Sequence, residues 1–155
     1  SPYNTEQILR TLAKYGIKAS FYVIGVNAIA WPDILRRIRD EGHEIGNHSY
    51  RHWPYKAYDL AQQIPQNQQV VRELSGVNMV SARAPGLTRG QVYLDTCRQN
   101  GLYEVHTTID SLDWKSPRIS AQNIINNILS RMYWGAIPLQ HDGGNRRPTS
   151  DAKKN

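Results

Sequence analysis

Apolar positions along the 155-residue chain follow two alternating rhythms. Residues 4–15 set Ile8, Leu9 and Leu12 at helical spacing, with Asn4 or Thr5 placed to cap the first amides and Gly16 to end the run. Ala19 to Ile24 is a short apolar stretch, rich in β-branched and aromatic residues and closed by Gly25. That length and content predict a buried strand. The alternation then repeats, with helices predicted over 27–40, 57–75, 90–100 and 120–132. Strands are predicted over 43–47, 79–82, 103–109 and 136–140. Pro32 should open the main part of its helix after a short turn, and Pro65 should bend or split the next one. Five helix–strand units signal parallel strands joined by crossover helices. The series opens on a helix and closes on a strand, so it is expected to be the middle of an α/β barrel or open sheet, cut at both ends.

The length fits one ordinary domain. The lone cysteine, Cys97, excludes an intrachain disulfide and a cysteine-based zinc site. No apolar run approaches the roughly 18 residues of a membrane span. Ser1-Pro2-Tyr3-Asn4 lacks the basic start and apolar stretch of a signal peptide. The formal charge is +6, and residues 145–155 carry half of it, as four cations against one aspartate. The remaining cations, such as Arg36, Arg37 and Arg39, sit on helical faces without a stacking aromatic set, so no nucleic-acid partner is expected. These counts predict a soluble globular domain.

In parallel α/β folds, functional residues gather after the C-terminal ends of the strands. The segments following the predicted strands are rich in titratable residues: His48-Ser49-Tyr50-Arg51-His52, Arg83-Ala84-Pro85-Gly86, Asp110-Ser111-Leu112-Asp113-Trp114 and His141-Asp142-Gly143-Gly144. His48 and His52, four apart, can reach one metal ion from a helical turn or a tight loop. His43 lies before or inside its strand and reads as structural. His141, at a strand end, suits proton transfer near neutral pH. Asp110 or Asp113 suits orienting that histidine, and either equally suits a turn. Arg83 suits a carboxylate partner or the end of a strand. Trp114 suits a sugar-binding wall or core filling.

The block from Glu41 to His52 resembles the second signature of the polysaccharide deacetylases, the NodB-homology or carbohydrate esterase family 4. Arg83-Ala84-Pro85-Gly86 resembles the third signature, Asp110 to Trp114 the fourth, and Leu139-Gln140-His141 the fifth. Gly86-Leu87 departs from the aromatic–Gly or Gly–Gly that commonly follows the proline. The first signature, two adjacent aspartates followed by Gly and Pro, has no counterpart in the chain, and Ser1-Pro2-Tyr3 resembles the residues just after it.

The resemblance implies an incomplete, distorted (β/α) TIM-like barrel, lacking its first strand and closing elements, over residues 1–144. Residues 145–155 would form a polar basic tail. It implies a hydrolase that removes N-acetyl or O-acetyl groups from a polysaccharide such as chitin or peptidoglycan. His48 and His52 would hold a divalent metal, commonly zinc, with cobalt, nickel or manganese as other candidates. His141 would be the general acid, Asp113 would tune it, and Arg83 would orient the catalytic base. Trp114, Leu139, Pro85 and Tyr50 would line the substrate site. The aspartates that supply base and third ligand are missing, so the 155 residues alone are expected to be inactive. The full protein is expected to be secreted or at the cell surface. The alternative is a non-catalytic carbohydrate-binding relative.

Overall fold

In strand β1 (Ser20–Val23), alternate side chains meet different chemistry. Phe21 and Val23 pack against an apolar core, whereas Ser20 and Tyr22 point the other way. β2 (Glu44–Asn47) repeats the pattern, with Ile45 and Asn47 buried beside that core. The register pairs Ser20 with Glu44 and Tyr22 with Gly46, so these four share one polar face of the sheet. β3 (Ser81–Ala82) and β4 (Tyr103–Glu104) extend it in the order β1-β2-β3-β4, every pair parallel. This computed structural model describes residues 2–52 and 59–143. The expected tail over 145–155, and residues 57 and 58 of the expected third helix, lie outside the described residues.

Helices cover the apolar face. They are α1 (Pro2–Tyr15), α2 (Gly25–Ala30), α3 (Pro32–Asp40), α4 (Leu60–Ser75) and α5 (Gln91–Gln99). Their inward stripes supply Leu9, Leu35, Ile38, Ile64, Val71 and Tyr93, all nearly or fully buried. Burying one such aliphatic side chain stabilises by about 1.5–3 kcal/mol. The expected 27–40 helix is two helices, because Trp31 leaves helical dihedrals (φ −137°, ψ 60°) ahead of Pro32. Pro65, by contrast, does not split α4, which runs through it. Gly76 ends that helix in the left-handed conformation at φ 74°, its N–H donating to the Arg72 carbonyl at 2.8 Å.

The predicted 103–109 strand is also two. Val105 N–H still bonds the Ala82 carbonyl at 2.8 Å, but Thr108 N–H bonds the Ile137 carbonyl at 3.0 Å. The ladder partner has changed from β3 to the segment leading into β6 (Pro138–Leu139), which pairs in parallel with β5 (Ile109–Asp110). The chain accordingly divides into two units, Leu9–His106 and Ser1–Ile8 with Thr107–Asn155. In the second unit Ile109 is buried, and α6 (Ala121–Leu129) is capped by Ser120 Oγ, which accepts the Asn123 N–H at 3.1 Å. Among the described residues no helix is long and apolar enough to cross a membrane.

Candidate functional site

The unit Leu9–His106 carries the two spaced histidines on the loop that leaves β2. His48 continues the ladder for one residue, donating its N–H to the Val23 carbonyl at 3.0 Å. The chain then coils tightly, with Ser49 and His52 at φ 64° and 65°. Ser49 Oγ accepts the His52 N–H at 3.1 Å, closing the turn. The rings of His48 and His52 come to 5.0 Å between centroids, tilted by 55°. His48 Nδ1 lies 2.8 Å from the Arg83 carbonyl oxygen. A carbonyl only accepts, so Nδ1 carries the hydrogen and the ring's lone pair sits on Nε2. That is the arrangement of a metal-ligating histidine, whose second nitrogen is held by a carbonyl or carboxylate. His48 can therefore offer one imidazole donor to a cation, with the His52 ring beside it. Among the described residues no group of three or more His, Cys, Asp or Glu side chains gathers as a cage.

Arg83, just past β3, is buried at 8% exposure. Its guanidinium lies over the Tyr22 ring, 4.1 Å from the centroid, and its Nε–H donates to the Val105 carbonyl at 3.1 Å. Burial pushes its pKa down, while Tyr22 and Glu104 work in the opposite direction. Pro85 is fully buried and opens a short 3-10 turn, Pro85–Leu87. Tyr50 is half-buried, its ring filling the space beside Gly25 and its face toward Arg51. His43, just before β2, packs against Phe21 and serves the fold. Its Nδ1 accepts the Ala19 N–H at 3.3 Å, and burial, aided by Lys18, lowers its pKa.

The other unit holds the second cluster. Two carboxylates were candidates for orienting His141, and the structure assigns them different tasks. Asp113 Oδ1 accepts the His141 Nδ1–H at 2.7 Å, and Asp113 Oδ2 accepts the His141 backbone N–H at 2.6 Å. Asp110 instead closes the turn, accepting the Leu112 N–H at 2.8 Å and the Trp114 Nε1–H at 3.2 Å. The Asp113 hydrogen bond raises the His141 pKa, and burial opposes it. For Asp113, burial favours the neutral acid, but the two bonds from His141 prevail and hold its carboxyl below the usual range. With Nδ1–H committed to Asp113, the His141 Nε2 is the nitrogen that can give or take a proton. Trp114 is half exposed and Leu139 half buried on β6.

Two features escaped the sequence reading. Tyr22 reads there as strand filling, yet it carries the guanidinium of Arg83. Its ring reaches across Gly46 to β3, where a Cβ on Gly46 would fall 2.5 Å from Tyr22 Cε1. The sequence predicts a helix over 57–75 without giving its amides a task, yet Gln63 and Asn67 are buried, Gln63 Oε1 accepting the Arg51 N–H and Asn67 Nδ2 donating to the Val23 carbonyl. Their i, i+4 spacing on the buried side of α4 was the available signal.

The family model of the polysaccharide deacetylases matches residues 1–105. The chain is 33% identical over 154 residues to a peptidoglycan-N-acetylglucosamine deacetylase of Bacillus cereus, covering 96% of this chain and 55% of that protein. It is 33% identical over 147 residues to a chitooligosaccharide deacetylase of Rhizobium leguminosarum bv. trifolii, covering 92% of this chain and 67% of that one. The solved peptidoglycan deacetylase PdaC of Bacillus subtilis superposes with a TM-score of 0.82 at 28% identity, over 92% of this chain and 69% of that structure. The chain thus spans about half the length of the first relative and two thirds of the second. On the family match, these relatives and the shared parallel α/β fold, the chain belongs to the polysaccharide deacetylase family.

Proposed function

We propose that this chain forms part of a metal-dependent hydrolase that removes acetyl groups from N-acetylglucosamine residues of peptidoglycan or chitin-like oligosaccharides. The names of its relatives support that substrate class, with O-acetyl groups as a further candidate. The observation that carries the reading is the clasp of His141 by Asp113, through both ring and backbone at 2.7 and 2.6 Å. A histidine charged at the start of the reaction and oriented through Nδ1 presents Nε2–H to a departing amine or alkoxide. As the carbon–nitrogen bond breaks, that proton moves to the leaving group and neutral His141 remains, still hydrogen-bonded to Asp113. Asp113 stays ionised throughout and stabilises the imidazolium beforehand.

His48 and His52 would hold the cation, and two imidazole donors suit zinc. When bound, such an ion supplies Lewis acidity and lowers the pKa of a bound water. Arg83 would orient the carboxylate base through its guanidinium, and Trp114, Leu139 and Tyr50 would meet substrate, whereas Pro85, expected beside them, is fully buried and does not. Residues 1–144 form one partial NodB-homology domain in this reading, part of a distorted (β/α) barrel, with 145–155 as a tail. The protein would work outside the cytoplasm, where these polymers lie. The 155 residues contain no two adjacent aspartates, so the chain alone is expected to turn over little or no substrate. Loss of one acid–base group typically costs about 10²–10⁴-fold.

The test is acetate release from chito-oligosaccharides and from peptidoglycan by a polypeptide that includes this chain and supplies the aspartate pair. Release that a chelator abolishes and added zinc restores is expected. No release, or full release under chelation, would overturn the proposal.

A further inference from the structure

We infer that three buried amide side chains, Asn47 at the end of β2 and Gln63 and Asn67 on α4, are positioning residues for the two-histidine loop. The part of this inference that concerns metal rests on the proposed role of His48 and His52. Asn47 and Asn67 are fully buried, and Gln63 is 8% exposed. The partners leave no freedom in how these amides are oriented. Asn47 Oδ1 accepts the Ser49 N–H at 2.9 Å, which requires an oxygen. Asn47 Nδ2 donates to the Ile64 carbonyl at 2.9 Å and to Gln68 Oε1 at 3.2 Å. Asn67 Nδ2 gives both its hydrogens to acceptors, the Val23 carbonyl at 2.9 Å and Asn47 Oδ1 at 3.1 Å. Gln63 Oε1 accepts the Arg51 N–H at 2.8 Å.

The loop amides are thereby held from two sides. Side-chain oxygens take the N–H groups of Ser49, Arg51 and His52. The loop's own Ser49 and Tyr50 carbonyls accept the N–H groups of Gly25 and Val26 at 3.1 and 3.0 Å. Such restraint is needed because Ser49 and His52 both occupy the left-handed region, which non-glycine residues hold only where the surroundings over-determine it. Core filling alone would not select amides here. Apolar side chains of the same volume fill space without leaving polar atoms to satisfy, and Asn67 Oδ1 in fact receives no hydrogen bond among the described residues. The amides are kept at that cost because they fix the backbone on which the imidazoles ride. Ligand support of this kind typically changes metal affinity about 10–100-fold.

The experiment uses the 155-residue chain with Asn67→Leu and Gln63→Met, each close in volume to the original. Ser75→Ala is the control. It removes a buried hydroxyl from the same helix, bonded to the Val71 carbonyl at 2.6 Å and remote from the loop. In the metal-free chain, both test variants are expected to speed amide hydrogen exchange at Ser49, Arg51 and His52 by about tenfold or more, the effect of losing a buried hydrogen bond. Ser75→Ala should change exchange at those amides no more than across the chain as a whole. Zinc affinity, by calorimetry, is expected to fall about 10–100-fold in the test variants and not in the control. Loop amides as protected as in the parent, in Gln63→Met and in Asn67→Leu, overturn the inference. If Asn67→Leu fails to fold, Gln63→Met decides it. Zinc uptake that His48→Ala leaves unchanged overturns the metal-ligand role separately, while the exchange rates still decide whether the amides position the loop.

Discussion

Replacing Gly46 by alanine adds one methyl group in the middle of the sheet's polar face. The new Cβ would stand 2.5 and 2.6 Å from Tyr22 Cε1 and Cδ1 and 2.9 Å from Ser81 Oγ, distances that Cβ atoms do not tolerate. The ring must move, and it bears the Arg83 guanidinium 4.1 Å from its centroid. Forcing a methyl group into packed space costs about 1–3 kcal/mol. Disturbing a buried cation–π contact adds up to about 2 kcal/mol. Against this, Gly46 is not in the left-handed region, so alanine should recover about 0.4–1 kcal/mol by narrowing the unfolded ensemble. The net expectation for Gly46→Ala is a loss centred on about 2 kcal/mol, at about 2–4 °C of melting temperature per kcal/mol for a chain of this size. Urea and thermal unfolding followed by circular dichroism measure it. The cause is isolated by repeating the change in a Tyr22→Ala background, where only the Ser81 Oγ contact remains and alanine at 46 should cost clearly less than in the parent. A neutral or stabilising Gly46→Ala in the parent chain would refute the close packing of Tyr22 across Gly46.

Other expectations follow from the same structure. Asp113→Asn should lower the His141 pKa, because its largest cause of elevation is the Asp113 hydrogen bond; an NMR titration of the imidazole reads this. His141, with its pKa raised by folding, contributes stability below its unfolded pKa, and the contribution is lost as pH rises through the folded value. Asp113, with its pKa depressed, contributes above its unfolded pKa and loses that as pH falls through the folded value. Stability from the pair should therefore peak between the two, and Asp113→Asn should flatten that part of the curve. Ser120→Ala should destabilise by about 1 kcal/mol, the usual cost of a lost N-cap, read by urea unfolding. Ile64→Ala, at a fully buried position on α4, should cost about 2–5 kcal/mol by the same measurement.

The alternation of helices and parallel strands was legible because Gly16, Gly42, Gly76 and Gly101 each stop a predicted helix and a short segment of strand length follows each. The division of 103–109 into β4 and β5 was not, since nothing in Tyr-Glu-Val-His-Thr-Thr-Ile marks where the ladder changes partner. His48, His52, Asp113 and His141 stood out as titratable residues after strand ends. Which aspartate serves His141 could not be read, because Asp110 and Asp113 both follow the same strand and only the Leu112 turn separates their tasks. The supporting residues were hidden for a different reason. Gln63, Asn67 and Tyr22 are ordinary in a helix or strand, and only long-range contacts give them a task.

The most direct test of the central claim is the pH dependence of acetate release from a chito-oligosaccharide, measured for a polypeptide that includes this chain and the aspartate pair, and for its Asp113→Asn variant. With His141 as a general acid, the rate of the parent should fall as pH rises through the histidine's raised pKa. In the variant that fall should begin at lower pH. No acetate release, or an alkaline limb that Asp113→Asn leaves in place, would contradict the account.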